Sequence, residues 1–181
     1  MKRKDFLGSA CKIGLCSCVG LPMISSDLFA ADDEKKKDDW RIGFMQKRFS
    51  KLIDAIQSNS SPEQTEKMIE ALGKACGEDS KTWYANNIGN IEGMLDQLKK
   101  TWIETVEYDK EKGVIKLYGK KTGKCGCPFV DGSKISKEFC NCSIGYQKEV
   151  WSNISGKNVD ASIIESVLYG AERCSFMIKI G

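Results

Sequence analysis

The chain has 181 residues, nine cysteines and no histidine. Without imidazole, Ser-His and Cys-His catalytic pairs are excluded, and any metal site must use thiolate, carboxylate or backbone oxygen. Basic residues number 28 and acidic residues 25, a net charge of +3, and they are interspersed; the basic stripe of a nucleic-acid footprint is absent.

The N-terminus has the layout of a secretory signal. Met1-Lys2-Arg3-Lys4 supplies a basic cluster, a moderately apolar run follows, and Phe29-Ala30-Ala31 supplies small residues at a cleavage point. Gly8, Gly14, Gly20 and Pro22 interrupt the run, so it does not make a stable membrane span. Arg3, Lys4, Phe6 and Leu7 resemble the twin-arginine export motif, with lysine in place of the second arginine. Cleavage after Ala30 or Ala31 would give an exported chain, periplasmic or extracellular. The alternative is a lipoprotein box at Leu15-Cys16-Ser17-Cys18, with the chain lipid-anchored through Cys18. Residues 1–31 are thus expected to be an export signal. Residues 32–39, almost all charged, read as a disordered tether, and residues 40–181 as a single α+β domain.

Within the domain, Ile42, Met45, Phe49, Leu52, Ile53 and Ile56 recur at helical spacing. Ser61-Pro62-Glu63-Gln64 predicts a second helix start, with Ser61 as cap, Pro62 in the first turn and Gln64 as capping-box partner. That helix carries Met68, Ile69, Leu72 and Cys76 and is expected to stop at Gly77. Ile88, Ile91, Leu95, Leu98 and Trp102 predict a third helix, weakened by Gly89 and Gly93. The pattern then changes. Residues 103–108 and 114–118 are β-branched and aromatic and predict a hairpin. Residues 119–142 are rich in glycine and cysteine without periodicity. A short helix over 144–154 is expected to end before Gly156, and a second hairpin joins 159–169 to 174–180 through a turn at 170–173. The order implies an α+β fold, with N-terminal helices on an antiparallel sheet and a C-terminal cysteine-containing hairpin.

Four cysteines form two tight pairs, Cys125-Gly-Cys127 and Cys140-Asn-Cys142. In extended chain, residues two apart project to the same side. Two such pairs face to face would supply four thiolates, enough for a tetrahedral zinc site; iron–sulfur ligation fits the same residues less specifically. Disulfides remain open as well: six cysteines survive signal removal, an even number, and sequence does not choose among their pairings. Cys76 continues the apolar face of Ile69 and Leu72 and reads as core. Cys174 alternates with Phe176 and Ile178 on a strand face, beside a turn from which it could reach a ligand pocket.

Glu165-Ser166-Val167-Leu168-Tyr169-Gly170, followed by Cys174-Ser175-Phe176-Met177-Ile178, resembles the closing hairpin of a bacterial superfamily. That group contains the vinyl-reductase-type small-ligand domain and the aminothiazoline-carboxylate hydrolase-like proteins. Cys125-x-Cys127-Pro128 with Cys140-x-Cys142-x2-Gly145 resembles a cysteine-rich branch of it. The resemblance implies an α+β ligand-binding fold with cysteines near a pocket that bind metal or act on a small molecule.

Three functional readings follow. The first is an exported small-ligand or metal-binding domain whose Cys125, Cys127, Cys140 and Cys142 hold zinc or another thiophilic metal, with Cys174 at the adjacent pocket. The second is a hydrolase of small cyclic amide- or thiazoline-like compounds. There a thiolate attacks, Asp131, Glu138 or Glu172 carries the proton, and Lys124 or Arg173 lowers the thiol pKa. The third is a disulfide-stapled structural domain.

Overall fold

The structure is a computed structural model that describes residues 40–181. The export signal, its motif residues, Cys18 and the charged tether lie outside the described residues.

The first helix, α1, runs Trp40–Asn59. The second, α2 (Pro62–Asp79), starts as its sequence predicts. The Ser61 hydroxyl accepts from the Gln64 N–H, and the Gln64 side chain accepts from the Ser61 N–H. Its end differs. Gly77 lies inside the helix, buried, because a closer constraint governs it: a Cβ there would sit 2.8 Å from Glu149 Cβ. One turn earlier, a Cβ on Gly73 would lie 1.7 Å from the Cys142 carbonyl oxygen. Both glycines allow contact with a later helix, and Ser80 caps the C-terminus.

The expected third helix is split. A short α3 (Lys81–Tyr84) and a 3-10 turn at Ala85–Asn87 precede Gly89, whose φ of 80° no helix continues through. Asn90 then caps α4 (Ile91–Thr101) by accepting from the Gly93 N–H. Ile88, placed on the helical face by periodicity, is exposed.

Strand β1 (Ile103–Asp109) pairs antiparallel with β2 (Val114–Gly119), and the Asp109 carboxylate accepts from the Lys112 N–H in the turn. Helix α5 (Asn141–Ser155) ends at Gly156, φ 67°, in the expected C-terminal glycine conformation. It begins earlier than periodicity suggests and so takes in Cys142. Strands β3 (Val159–Glu165) and β4 (Ser175–Ile180) form the closing hairpin. The strand expected to reach residue 169 stops at Glu165. Ser166 leaves the sheet into a 3-10 turn, Val167–Tyr169, followed by Gly170 at φ 92°.

All pairings in the sheet are antiparallel, in the order β1-β2-β4-β3. Ile115, Leu117, Phe176 and Ile178 point to one face, as the two-residue repeat requires. There they meet Leu95 and Leu98 of α4 and Val150, Trp151 and Ile154 of α5. Helices therefore pack on an antiparallel sheet closed by a C-terminal hairpin, as the sequence implies. Each fully buried side chain of this size stabilises the fold by ~1.5–3 kcal/mol. α2 forms a further layer on α5, with Gly145 of α5 against the Glu70 carbonyl. A second, smaller core joins Ile53 of α1, Ile69 of α2, Val130 and Phe139, with Cys125, Cys127 and Cys142 packed against it.

Candidate functional site

The second core is where the cysteines gather. Residues 120–136 contain no helix or strand, and α1 holds them in place. Gln46 donates to the Pro128 carbonyl at 2.9 Å, Ser50 to the Lys134 carbonyl, and Gln57 to the Ser136 hydroxyl at 2.7 Å. Phe49 packs between Phe129 and Phe139, with ring centroids 5.8 and 5.2 Å away. The other end of the segment is tied to the closing hairpin, where the Gly123 N–H donates to the Glu172 carbonyl at 2.9 Å. Cys125 and Cys127 are thereby fixed, half-buried, between α1 and the β3–β4 connection.

The second pair is not extended. Cys140 ends a 3-10 turn, Lys137–Cys140, and Cys142 lies in the first turn of α5. Helical geometry rotates successive side chains by about 100°, so residues two apart diverge. Cys140 is buried and faces Ser166: the sulfur lies 3.0 Å from the hydroxyl oxygen. The Cys174 sulfur lies 4.0 Å from the same oxygen. Ser166, 2 % exposed, also accepts from the Leu168 N–H at 3.1 Å. Sequence reasoning gave Ser166 no role. It lies in the closing-hairpin motif, within the strand expected over 159–169, which the structure shows it leaving.

Burial pushes the Cys125, Cys127 and Cys140 thiols above their usual range, and it pushes Cys142 up to about 12. Neighbouring thiols add to this. The strongest thiol neighbour of both Cys125 and Cys140 is Cys174; that of Cys142 is Cys127, followed by Cys76. Cys140 and Cys174 both reach Ser166, while Cys125, Cys127 and Cys142 pack against the second core. All six cysteines among the described residues are free. No three or more cysteine or carboxylate groups among the described residues converge to hold a metal ion. Cys76 is exposed, against its expected place in the core, because the buried face of α2 is the Thr65, Ile69, Gly73 and Gly77 line.

A cleft of about 630 Å³ opens beside the cluster, lined by Gln46, Lys124, Cys125, Cys127, Asp131 and Val167 among others. Of the expected proton carriers, only Asp131 lines it. Hydrogen bonds from Lys134 and Ser133 hold its carboxyl near 2, so it stays ionised at neutral pH and is a weak base. Glu138 is bonded by Ser136 and Gln57, which lowers its pKa, and Glu172 pairs with Lys121 at 2.9 Å. Arg173 is committed elsewhere. It donates to Glu165 at 2.6 Å and Glu104 at 3.2 Å, and lies over the Tyr118 ring. Lys124 is the cation that lines the cleft.

No protein-family pattern matches the chain, and no curated protein matches it. Similar backbones occur among solved structures. The phenol-responsive sensory domain of the transcription activator PoxR with phenol is 17% identical, with a TM-score of 0.49, over 75% of this chain and 74% of that one. A trafficking protein particle complex subunit 3 from Naegleria fowleri, covalently bound to palmitic acid, is 11% identical, with a TM-score of 0.48, over 78% and 96%. A vinyl-4-reductase family protein from Methanocaldococcus jannaschii is 17% identical, with a TM-score of 0.39, over 82% and 85%. The last belongs to the group that the closing hairpin resembles. Nothing in the comparisons supports the aminothiazoline-carboxylate hydrolase-like resemblance, and none of these likenesses assigns a family.

Proposed function

We propose that this chain is an exported small-ligand-binding domain that holds a thiophilic ligand at the cysteine cleft. One observation carries the reading: two unbridged thiols, Cys125 and Cys127, line a cleft of about 630 Å³, and Cys142 packs against the same small core. The surroundings suit binding better than attack. A carbon electrophile needs a thiolate, and a nucleophilic cysteine has its pKa lowered below ~8.5 by a cation, a metal or a helix N-terminus. Here burial raises four of the six thiols instead, and Arg173 is bound to carboxylates. Burial therefore disfavours the attacking thiolate at the four paired cysteines.

A soft metal ion takes thiols of this kind by displacing their protons. A zinc-type ion on Cys125, Cys127, Cys140 and Cys142 is the first candidate; the four do not converge in the structure, so binding would have to move residues 120–136 and also turn Cys140 and Cys142 toward each other. Among the described residues no helix is long and apolar enough to cross a membrane.

The test is elemental analysis and native mass spectrometry of anaerobically purified protein, with thiols titrated in denaturant before and after chelation. The reading expects a bound thiophilic ion or small molecule in near-stoichiometric amount. Its loss should leave every described cysteine reactive. Protein without bound ligand, without zinc uptake and with its cysteines already bridged would overturn the reading in favour of a disulfide-stapled domain.

A further inference from the structure

Two thiols that do not line the cleft meet at one buried side chain. Cys140 ends the 3-10 turn before α5, and Cys174 immediately precedes β4. Their sulfurs lie 3.0 and 4.0 Å from the Ser166 hydroxyl oxygen. They are therefore no more than about 7 Å apart, the two legs taken end to end, against ~2.05 Å in a disulfide. Rotation about one Cα–Cβ bond carries a sulfur ~3 Å between staggered positions, so two such turns cover most of that separation. Access to the pair is unequal. Cys140 is 7% exposed, whereas Cys174 is half-buried, so a reagent from solvent meets Cys174 first. The backbone of Cys174 is held on the sheet, where its carbonyl accepts from the Gly119 N–H at 3.0 Å.

Ser166 also begins the β3–β4 connection. Its carbonyl accepts from the Tyr169 and Ala171 N–H groups, both at 3.0 Å, and the next residue, Val167, lines the cleft. A covalent bond beside Ser166 would fasten this connection to the first turn of α5. We propose that Cys140 and Cys174 form a reversible disulfide that pins the β3–β4 connection, and with it the Val167 wall of the cleft, to α5. The oxidant is a small disulfide. The Cys174 thiol gives its proton to solvent, and its sulfur attacks one sulfur of the reagent, expelling the other half as a thiolate that takes up a proton. The Cys140 sulfur, deprotonated in turn, attacks the Cys174 sulfur and expels the second half. Two protein thiols lose two electrons, and one small disulfide becomes two thiols. The pair needs no metal, so a failure to find bound zinc does not bear on it, and a failure to form the bridge leaves the cleft reading standing.

The test equilibrates chelator-treated full-length protein with glutathione at graded ratios of oxidised to reduced form, then quenches with acid and digests with trypsin. Trypsin releases Cys174 in peptide 174–179 and Cys140 with Cys142 in peptide 138–148, and fragmentation assigns the sulfur. The expected product is a bond from Cys140 to Cys174 that reduced glutathione reopens. Amide exchange over residues 167–173 should slow several-fold in the bridged form, because opening of the turn is restrained. Cys140→Ser should stop Cys174 at its glutathione adduct, and Cys174→Ser should leave Cys140 unmodified. If either variant folds poorly, the wild-type peptide map decides alone. Cys174 bonded to Cys125 or to another cysteine, or halted at the glutathione adduct in wild type, would overturn the proposal. So would a Cys140–Cys174 bond that reduced glutathione leaves closed, which is a fixed staple, or exchange over 167–173 that bridging does not change.

Discussion

At the scale of single residues, the account turns on what burial does to a thiol. The Cys142 thiol moves from 9.0 to about 12, chiefly because burial disfavours the thiolate. The folded chain therefore keeps a proton that the unfolded chain releases above about pH 9. That contribution to stability is fully present below the unfolded value and is lost as pH rises toward the folded one. Urea denaturation of wild type from roughly pH 8.5 to 10.5 should show stability falling, and Cys142→Ala should show a flatter decline. Parallel curves would mean that Cys142 titrates normally. The cysteine positions were legible in the sequence; their directions were not. The two-residue rule holds only for extended chain, and Cys142 sits in a helix. Cys76 shared the helical spacing of Ile69, but the layer above α2 is α5, which demands glycine on the buried line and leaves Cys76 outside it.

At the scale of elements, two helices approach each other because side chains are missing between them. A Cβ on Gly73 would lie 1.7 Å from the Cys142 carbonyl oxygen, and one on Gly145 would lie 1.9 Å from that of Glu70. Both obstacles are backbone, so relief requires the helices to separate. Gly73→Ala and Gly145→Ala should each destabilise the fold by at least ~1–3 kcal/mol, the usual cost of overpacking. Gly43, in α1, has nothing within 4 Å of its missing Cβ. Gly43→Ala should stabilise by about 0.5–1 kcal/mol, because alanine is the better helix former. Thermal and urea melts of the three variants give the comparison, and the opposite signs identify close approach as the cause. The capping box at Ser61 and the terminal Gly156 could be read directly, since each follows from local chemistry. Gly77 could not. A glycine that ends a helix and one that admits a neighbouring helix look alike in sequence, and only the tertiary contact separates them.

At the scale of the whole molecule, the class was legible because hydrophobic period changes along the chain. Helical spacing gives way to β-branched runs near residue 103, and the alternation of Ile115, Leu117, Phe176 and Ile178 marks one covered face of the sheet. The segment from 120 to 136 has no period, so nothing local indicated that it would fold against α1 and the β3–β4 connection. That arrangement depends on long-range bonds, from Gln46, Ser50 and Gln57 on one side and to Glu172 on the other. It also sets Cys125 and Cys127 along the cleft, while Cys140 and Cys174 meet at Ser166. The claim that the cleft is a ligand site is tested most directly by alkylation of each cysteine, followed by peptide mass, with and without saturating zinc. The account predicts that zinc slows labelling of Cys125 and Cys127 by about tenfold or more, since coordination removes the free sulfur lone pair from the reagent. Exposed Cys76 should label at the same rate in both samples. Unchanged labelling of Cys125 and Cys127 under saturating zinc would contradict it.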